Sequence, residues 1–219
     1  MILSKKNGSE KRSVEAIRCI REWIVNNYFK EGELLSEVTL AEELKMSRTP
    51  IREAITYLCN EGLLDTIPGR GAVVARMSQQ DIEEILDLRE VLEPLAAASA
   101  INRIPDKEIE NQMKLWIQAK VDAEKGIEIS AENFAKWDTQ LHGMLRDYCT
   151  NERLREFLNI LNIQTGMFVI RSWGTKAFIT ETINQHIEIL KGLRDRDYNF
   201  LKRSLVNHIR SNMTYHLGR

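Results

Sequence analysis

The chain has 219 residues, of which 43% are hydrophobic and 29% are charged, and its formal net charge is −1. This composition is typical of a soluble globular protein, and no apolar run approaches the roughly 18 residues that a membrane helix needs. The three cysteines are far apart and form no CxxC pair, so the sequence suggests neither a thiolate zinc site nor a disulfide framework. We therefore expect a cytoplasmic protein that has no membrane partner.

The chain opens with a polar segment and then becomes periodic. Residues 1–11 are predicted to form a disordered lead because they are mostly polar. Apolar side chains then recur at three- to five-residue steps and predict a helix from about Ser13 to Phe29. The predicted apolar face of this helix consists of Val14, Ile17, Ile20, Ile24 and Phe29.

Two shorter helices and a hairpin are predicted next. Ser36 is expected to cap a short helix, and Ser47 a third helix that carries Pro50 in its first turn. Residues 63–67 and 72–75 read as two short strands joined by a turn. Three helices followed by one hairpin make up a winged helix-turn-helix. We therefore assign residues 12–77 to a DNA-binding domain of this type.

Everything after this point is predicted to be helical. The first predicted helix contains Pro94, which is expected to kink it. Residues 78–219 are therefore expected to form an all-α bundle of six or seven helices, and the fold class of the whole chain is mainly α. The predicted helices cover approximately residues 78–102, 105–125, 130–148, 151–172, 180–194 and 197–216.

The third helix carries the residue types that read DNA. In a helix-turn-helix, the second helix of the motif enters the major groove with its N-terminal residues facing the base edges. Arg48 and Arg52 share one face of this helix, and arginine is suited to bidentate contact with guanine. Ser47 and Thr49 can bind phosphate at the helix start. Arg70, at the tip of the predicted wing, can reach a minor groove or a phosphate.

Taken alone, the two arginines also fit a solvated helix face on which Arg52 pairs with Glu53 or Glu61. The helix order, the tight turn and the basic wing tip together favour DNA binding.

A resemblance to the GntR family of bacterial regulators is carried by LAEELKMSRTPIREA over residues 40–54 and by GRGA over residues 69–72. It implies a homodimer that binds a double-stranded DNA operator as a repressor. Many members have an arginine where this chain has Glu37-Val38, which implies a different operator.

Three of the four histidines lie where they can share one ion. Asp138 and His142 are four residues apart on one predicted helix, while His186 and His208 belong to the last two helices, which can pack antiparallel. Three imidazoles and one carboxylate suit Zn²⁺, Ni²⁺, Mn²⁺ or Fe²⁺ better than Ca²⁺ or Mg²⁺. From spacing alone, a metal site and a set of unrelated core or surface histidines remain equally good interpretations.

Several segments of the second half carry a further resemblance. They are DLREVLEP over 87–94, DTQLH over 138–142, NERL over 151–154, QHIEI over 185–189 and VNHI over 206–209. Together they resemble the FCD effector domain of the FadR-type branch of the GntR family. This implies that Asp138, His142, His186 and His208 hold a divalent metal, with Zn²⁺ as the first choice and Ni²⁺, Mn²⁺ or Fe²⁺ as alternatives.

The same resemblance implies an effector that is a small organic acid. Arg89 would pair with its carboxylate, and Arg171 is a second candidate. The alternative for Arg89 is a surface or intersubunit salt bridge with Glu90 or Glu93. Two other functions stay open: the metal itself is the signal, or the site is that of a metal-dependent enzyme. Because no nucleophile elbow or phosphate loop accompanies the winged helix, we expect a transcription regulator and not an enzyme.

Overall fold

The computed structural model describes the backbone of residues 2–67, 71–171 and 175–217, and the side chains of residues 10–67, 71–169 and 175–215. The chain divides into two compact units, residues 1–77 and 78–219. Within the described ranges, three helices and a small sheet form the first unit and six helices form the second, which confirms the mainly α prediction. None of the described helices is long and apolar enough to cross a membrane.

The first unit combines three helices with a three-stranded antiparallel sheet. Its elements are α1 (Ile2–Val25), β1 (Leu34–Leu35), α2 (Glu37–Glu43), α3 (Arg48–Asn60), β2 (Leu64–Ile67) and β3 (Gly71–Val74). The strand order is β1-β3-β2, with Leu35 opposite Ala72. Gly71 has a φ of +106°, and a Cβ there would lie 2.7 Å from the Leu35 carbonyl oxygen, so the strand contact requires glycine. Sequence analysis missed β1, because two residues are too few to show a period-two pattern.

Helix α1 differs from its prediction at its start and on its buried face. It begins at Ile2, although residues 1–11 were predicted to be disordered. Polar side chains do not prevent helix formation, and Gly8 is the one strong helix breaker in this segment, which has no proline. Val14, predicted to be buried, is 62% exposed, while Ala16 is fully buried.

The helix-turn-helix has the predicted form. The Ser36 hydroxyl caps α2 by accepting a hydrogen bond from the Val38 N–H at 3.2 Å. Lys45 adopts a left-handed conformation with a φ of +52°, which reverses the chain within a few residues. Helix α3 packs against α1. Its buried face contains the predicted apolar residues Ile51, Ala54, Ile55 and Leu58 together with Pro50.

The second unit is a bundle of six helices around one core. They are α4 (Gln79–Ala100), α5 (Asp106–Glu124), α6 (Ala131–Asp147), α7 (Glu152–Arg171), α8 (Lys176–Arg194) and α9 (Tyr198–Leu217). Helix α4 packs against α6, α7 and α9, and α8 packs against α5 and α9. The core includes the fully buried Trp116. These contacts bring faces of α4, α6, α7, α8 and α9 together inside the bundle.

Gly192 marks a close approach of α8 to α9. A Cβ at this position would lie 2.8 Å from the Leu201 Cα and 3.0 Å from the Leu201 nitrogen. Because backbone atoms cannot move aside cheaply, we expect Gly192→Ala to lower the free energy of unfolding by about 1–3 kcal/mol. The control is Gly143→Ala in α6, whose Cβ would come no closer than 3.4 Å, to the Arg146 side chain. Urea unfolding followed by circular dichroism should rank Gly143→Ala as clearly more stable; equal stabilities would contradict the expectation.

Candidate functional site

The start of α3 presents polar groups to solvent. Ser47, Arg48, Thr49 and Arg52 are all exposed, and the Ser47 hydroxyl makes no capping hydrogen bond. The first N–H groups of a helix have no acceptor within the helix. This end of α3 therefore combines free N–H groups, hydroxyls and two guanidinium groups, the donors that phosphates and base edges accept. Arg70, in the predicted wing, lies outside the described residues.

Arg52 pairs with Glu37, and the alternative pairing with Glu53 or Glu61 is wrong. Arg52 Nε donates to Glu37 Oε1 at 3.0 Å, and Nη2 donates to Oε2 at 2.8 Å. These hydrogen bonds lower the pKa of the Glu37 carboxyl. Glu53 and Glu61 instead bond to side chains of α1. Since the Arg52 side chain is 68% exposed, the pair orients its guanidinium without hiding it.

Asp138, His142, His186 and His208 meet inside the second unit. His186 Nε2 lies 3.2 Å from Asp138 Oδ1, and His142 Nε2 lies 3.2 Å from His208 Nε2 and 3.7 Å from Asp138 Oδ1. All four residues are buried, and one ligand atom from each lies within 4.8 Å of the others. Ligand atoms around a tetrahedral ion with bonds of about 2.0–2.1 Å are about 3.3 Å apart. The four predicted residues therefore fit one small ion.

Hydrogen bonds determine which ring nitrogens face this cluster. His142 Nδ1 donates to Glu93 Oε2 at 2.7 Å, and His208 Nδ1 donates to Gln185 Oε1 at 3.1 Å. Because a neutral imidazole has one N–H, Nε2 of each ring then carries a lone pair. Asn212 Nδ2, 3.2 Å from His208 Nε2, donates to that lone pair. Where both Nε2 atoms carry lone pairs, a proton or a metal ion between them would relieve their repulsion across 3.2 Å.

His186 is held mainly by ring packing. Its ring centroid lies 4.1 Å from that of Trp116 and 6.1 Å from that of Phe134. Among the described residues neither of its nitrogens has a hydrogen-bond partner, although Nε2 is close to Asp138. A buried polar group without a partner costs about 1–3 kcal/mol. Coordination of a metal ion would satisfy it.

Arg89 and Glu93, one turn apart on α4, lie beside the cluster. Glu93 Oε1 accepts from Arg89 Nε at 2.6 Å, while Oε2 accepts from His142. Arg89 Nη1 donates to Thr165 Oγ1 of α7 at 3.2 Å, and Nη2 is buried without a partner in the described part of the chain. Arg89 is only 2% exposed, so its salt bridge with Glu93 is internal and not the surface pair of the alternative interpretation. A guanidinium with a free N–H can bind a further carboxylate.

The space next to Arg89 is small. A cavity of about 10 Å³ lies between α4, α6 and α7, a volume close to that of a single water site. Leu158, Leu161 and Asn162 of α7 line one side of it. Arg171, the second predicted effector contact, is the last residue of α7, and its side chain lies outside the described set.

The two carboxylates of the site are ionised. Burial raises the pKa of Glu93, but the charges of Arg89 and His142 and their hydrogen bonds outweigh this and lower it to about 2. Burial also disfavours the charge on Asp138, and the neighbouring His142 and His186 lower its pKa nonetheless. Both groups are therefore charged at neutral pH, as metal coordination and pairing with Arg89 require.

His186 and His208 should make the metal-free protein less stable in mild acid. Burial lowers the pKa of His186, although the neighbouring Asp138 acts to raise it. Burial and the charges of His186 and His142 lower the pKa of His208 well below its usual value. Since a free imidazole has a pKa of about 6.5, unfolding takes up protons below that pH. We expect the free energy of unfolding to fall from about pH 6.5 down through the lowered pKa values, by at most about 1.4 kcal/mol per histidine per pH unit. Urea unfolding in EDTA at several pH values measures this, and His208→Gln should reduce the slope.

Sequence analysis missed four residues that hydrogen-bond to the site. One of them, Asn212, bonds to His208 from one turn further along α9. Glu93 lies four residues after Arg89 and was considered only as its partner in a surface or intersubunit salt bridge. Gln185 directly precedes His186, so its neighbourhood was visible but its bond to His208 was not. Thr165 gave no signal, because its contact with Arg89 depends on how α7 crosses α4.

Known proteins match both units. Residues 12–74 match the family described as bacterial regulatory proteins, gntR family, and residues 84–211 match the FCD domain. The Nta operon transcriptional regulator of Aminobacter aminovorans is 30% identical over 185 residues, covering 84% of this chain and 85% of that protein. The gluconate operon transcriptional repressor of Bacillus licheniformis is 25% identical over 197 residues, covering 85% and 77%. The solved structure of E. coli McbR/YncC shares the fold, with a TM-score of 0.80 at 20% identity over 94% of this chain and 97% of that one.

A winged helix-turn-helix followed by a helical bundle of this kind defines a DNA-binding transcriptional regulator. The chain belongs to the GntR family of bacterial transcriptional regulators, and its second unit is an FCD domain. Since the matching families and relatives are regulators, the enzyme alternative is rejected. FCD domains commonly bind metal ions, and the described part of this one contains a buried His/Asp cluster.

Proposed function

We propose that the chain is a repressor whose operator affinity changes when a small carboxylic acid binds beside a divalent metal in the FCD domain. The charge of the buried site carries this proposal. Asp138 and Glu93 are ionised and Arg89 opposes only one of them, so these three buried groups together have one net negative charge, which is costly away from water. A divalent ion changes the net charge to one positive, and one carboxylate anion then makes the site neutral.

The donor set supports a transition metal at the cluster. Asp138, His142, His186 and His208 would hold it, with Zn²⁺ as the first choice and Ni²⁺, Mn²⁺ or Fe²⁺ as alternatives. When bound, the ion would supply positive charge, and an ion that expands beyond four ligands would also offer coordination positions to carboxylate oxygens. Arg89 donates to the same carboxylate through its free Nη2.

Helix α4 connects this site to the DNA-binding unit along the chain. It carries Arg89 and Glu93, and its capping residue Ser78 directly follows Met77, the last residue of the first unit. Because the cavity beside Arg89 is too small for an organic acid, binding requires the lining side chains or helices of α4, α6 and α7 to move apart. We infer that this movement changes the spacing of the two recognition helices in a homodimer on a pseudo-palindromic operator. Such a regulator works beside the chromosome, so we place it in the cytoplasm.

A thermal-shift screen of the zinc-loaded protein tests this function. The panel consists of small carboxylic and sugar acids and includes gluconate, since one relative is named for a gluconate operon. An acid at a hundred times its Kd should stabilise the protein by about 2.7 kcal/mol, or roughly 5–11 °C. The shift should disappear in Arg89→Gln. If no acid shifts the melting temperature while Zn²⁺ alone changes operator affinity, the metal is the signal instead.

A further inference from the structure

The carboxylate of Glu93 contacts both parts of the proposed site, the acid-binding part at Arg89 and the metal-binding part at His142. Its Oε1 accepts from Arg89 Nε at 2.6 Å, and its Oε2 accepts from His142 Nδ1 at 2.7 Å. All three side chains are at most 4% exposed, so water does not weaken these contacts. The acid-binding arginine and a metal-ligating histidine therefore share a single buried negative charge.

We propose that Glu93 is the positioning residue that makes metal binding and acid binding depend on each other, an inference that rests on the function proposed above. Towards the metal, it accepts the His142 Nδ1–H, which turns Nε2 to the cluster and makes that nitrogen more basic. Towards the acid, it holds Arg89 through Nε and leaves Nη2 free. One residue thus orients both partners.

The two hydrogen bonds compete for the same charge. When an incoming carboxylate neutralises Arg89, Glu93 interacts more strongly with His142, and the metal binds more tightly. A metal on His142 makes its Nδ1–H a stronger donor, which draws Glu93 away from Arg89 and frees the guanidinium for the acid. Because linkage is reciprocal, both effects have the same size and sign. The acid then binds more tightly to the metal-loaded protein than to the metal-free protein.

Other nearby carboxylates do not occupy this position. Asp138 contacts the Nε2 side of His142 and His186, where the ion would bind. Glu90, on the same helix as Glu93, pairs with the exposed Arg210. In the side chains described, Glu93 is the carboxylate that hydrogen-bonds both Arg89 and a proposed metal ligand.

Titration of the full chain with Co²⁺, followed by its visible absorption, tests the first half of the proposal. Glu93→Gln keeps the size of the side chain and removes the charge, so it should weaken Co²⁺ binding about 10–100-fold. The matched control Glu90→Gln should stay within about twofold of the parent chain, because Glu90 lies outside the site. Equal affinities for the two variants would overturn the role of Glu93.

A double-mutant cycle tests the coupling itself. Arg89→Gln mimics neutralisation of the arginine by an acid and should tighten Co²⁺ binding about fivefold or more in the parent chain. Removing a positive charge also favours a cation directly, so the same substitution is made in the Glu93→Gln background. A clearly smaller effect there is expected; the same effect in both backgrounds would show that the two halves are independent.

The unsubstituted protein gives a readout that needs no variant. In ¹⁵N spectra of the Zn²⁺-loaded chain, His142 should carry its proton on Nδ1, and a metal on Nδ1 would overturn the proposal. A parent chain that binds no Co²⁺ would refute the proposed function and this inference together. A parent chain that binds Co²⁺ with the same affinity as Glu93→Gln would refute the inference alone.

Discussion

His186→Ala should abolish metal retention while leaving metal-free DNA binding unchanged. His186 is fully buried, and its Nε2 lies 3.2 Å from Asp138 Oδ1 at the centre of the cluster. Losing a direct ligand should cost more than the 10–100-fold in affinity that loss of an orienting partner costs. Metal content by mass spectrometry after dialysis, together with Co²⁺ titration, measures the effect.

Trp116 supplies an optical signal for the same experiment. Its ring lies 4.1 Å from that of His186, so Co²⁺ in the cluster should quench its fluorescence. In His186→Ala this quenching should be lost. His216→Ala is the control, since His216 is the one of the four histidines in the sequence that does not belong to the proposed metal set. Full metal retention by His186→Ala would refute the assignment of this cluster as the metal site.

Arg52→Ala should weaken operator binding by about 1–3 kcal/mol and relax sequence preference at one base pair. Arg52 stands on the exposed face of α3, one turn after Arg48, and Glu37 holds its guanidinium with two hydrogen bonds. An arginine oriented in this way is suited to bidentate contact with one guanine. The measurement is fluorescence anisotropy with an operator obtained by selection and with its single-base variants.

The matched control for this prediction is Arg18→Ala. Arg18 is exposed on α1 and pairs with Glu22 on the same helix, so its loss removes the same charge away from the start of α3. We expect it to have little effect on operator preference. Equal weakening by Arg52→Ala on every sequence would show that Arg52 contacts phosphate and does not read a base.

The parts of the fold that follow from local pattern were predictable. The apolar face of α3 and the cap at Ser36 were predicted because both depend on residues within a few positions of each other. The short strand β1 was missed because its pairing with β3 joins residues far apart in sequence. The start of α1 was placed too late because polarity was taken as a sign of disorder, whereas helix propensity permits the longer helix.

The residues of the candidate site also divide into those that the sequence could reveal and those that depend on how distant helices pack. Asp138 and His142 were visible through their spacing on one helix, and His186 and His208 through the resemblance to the FCD domain. Glu93 was considered only as a partner of Arg89 in a surface or intersubunit salt bridge. Its bond to His142 depends on the crossing of α4 and α6, which no local pattern reveals.

The most direct test of the central claim is the operator affinity of the zinc-loaded protein, measured by anisotropy with and without each acid of the panel. We predict that at least one acid changes the Kd for the operator about tenfold or more, and that this change disappears in both Arg89→Gln and His186→Ala. An acid effect that persists in both variants, or an operator affinity that no acid alters, would contradict the account.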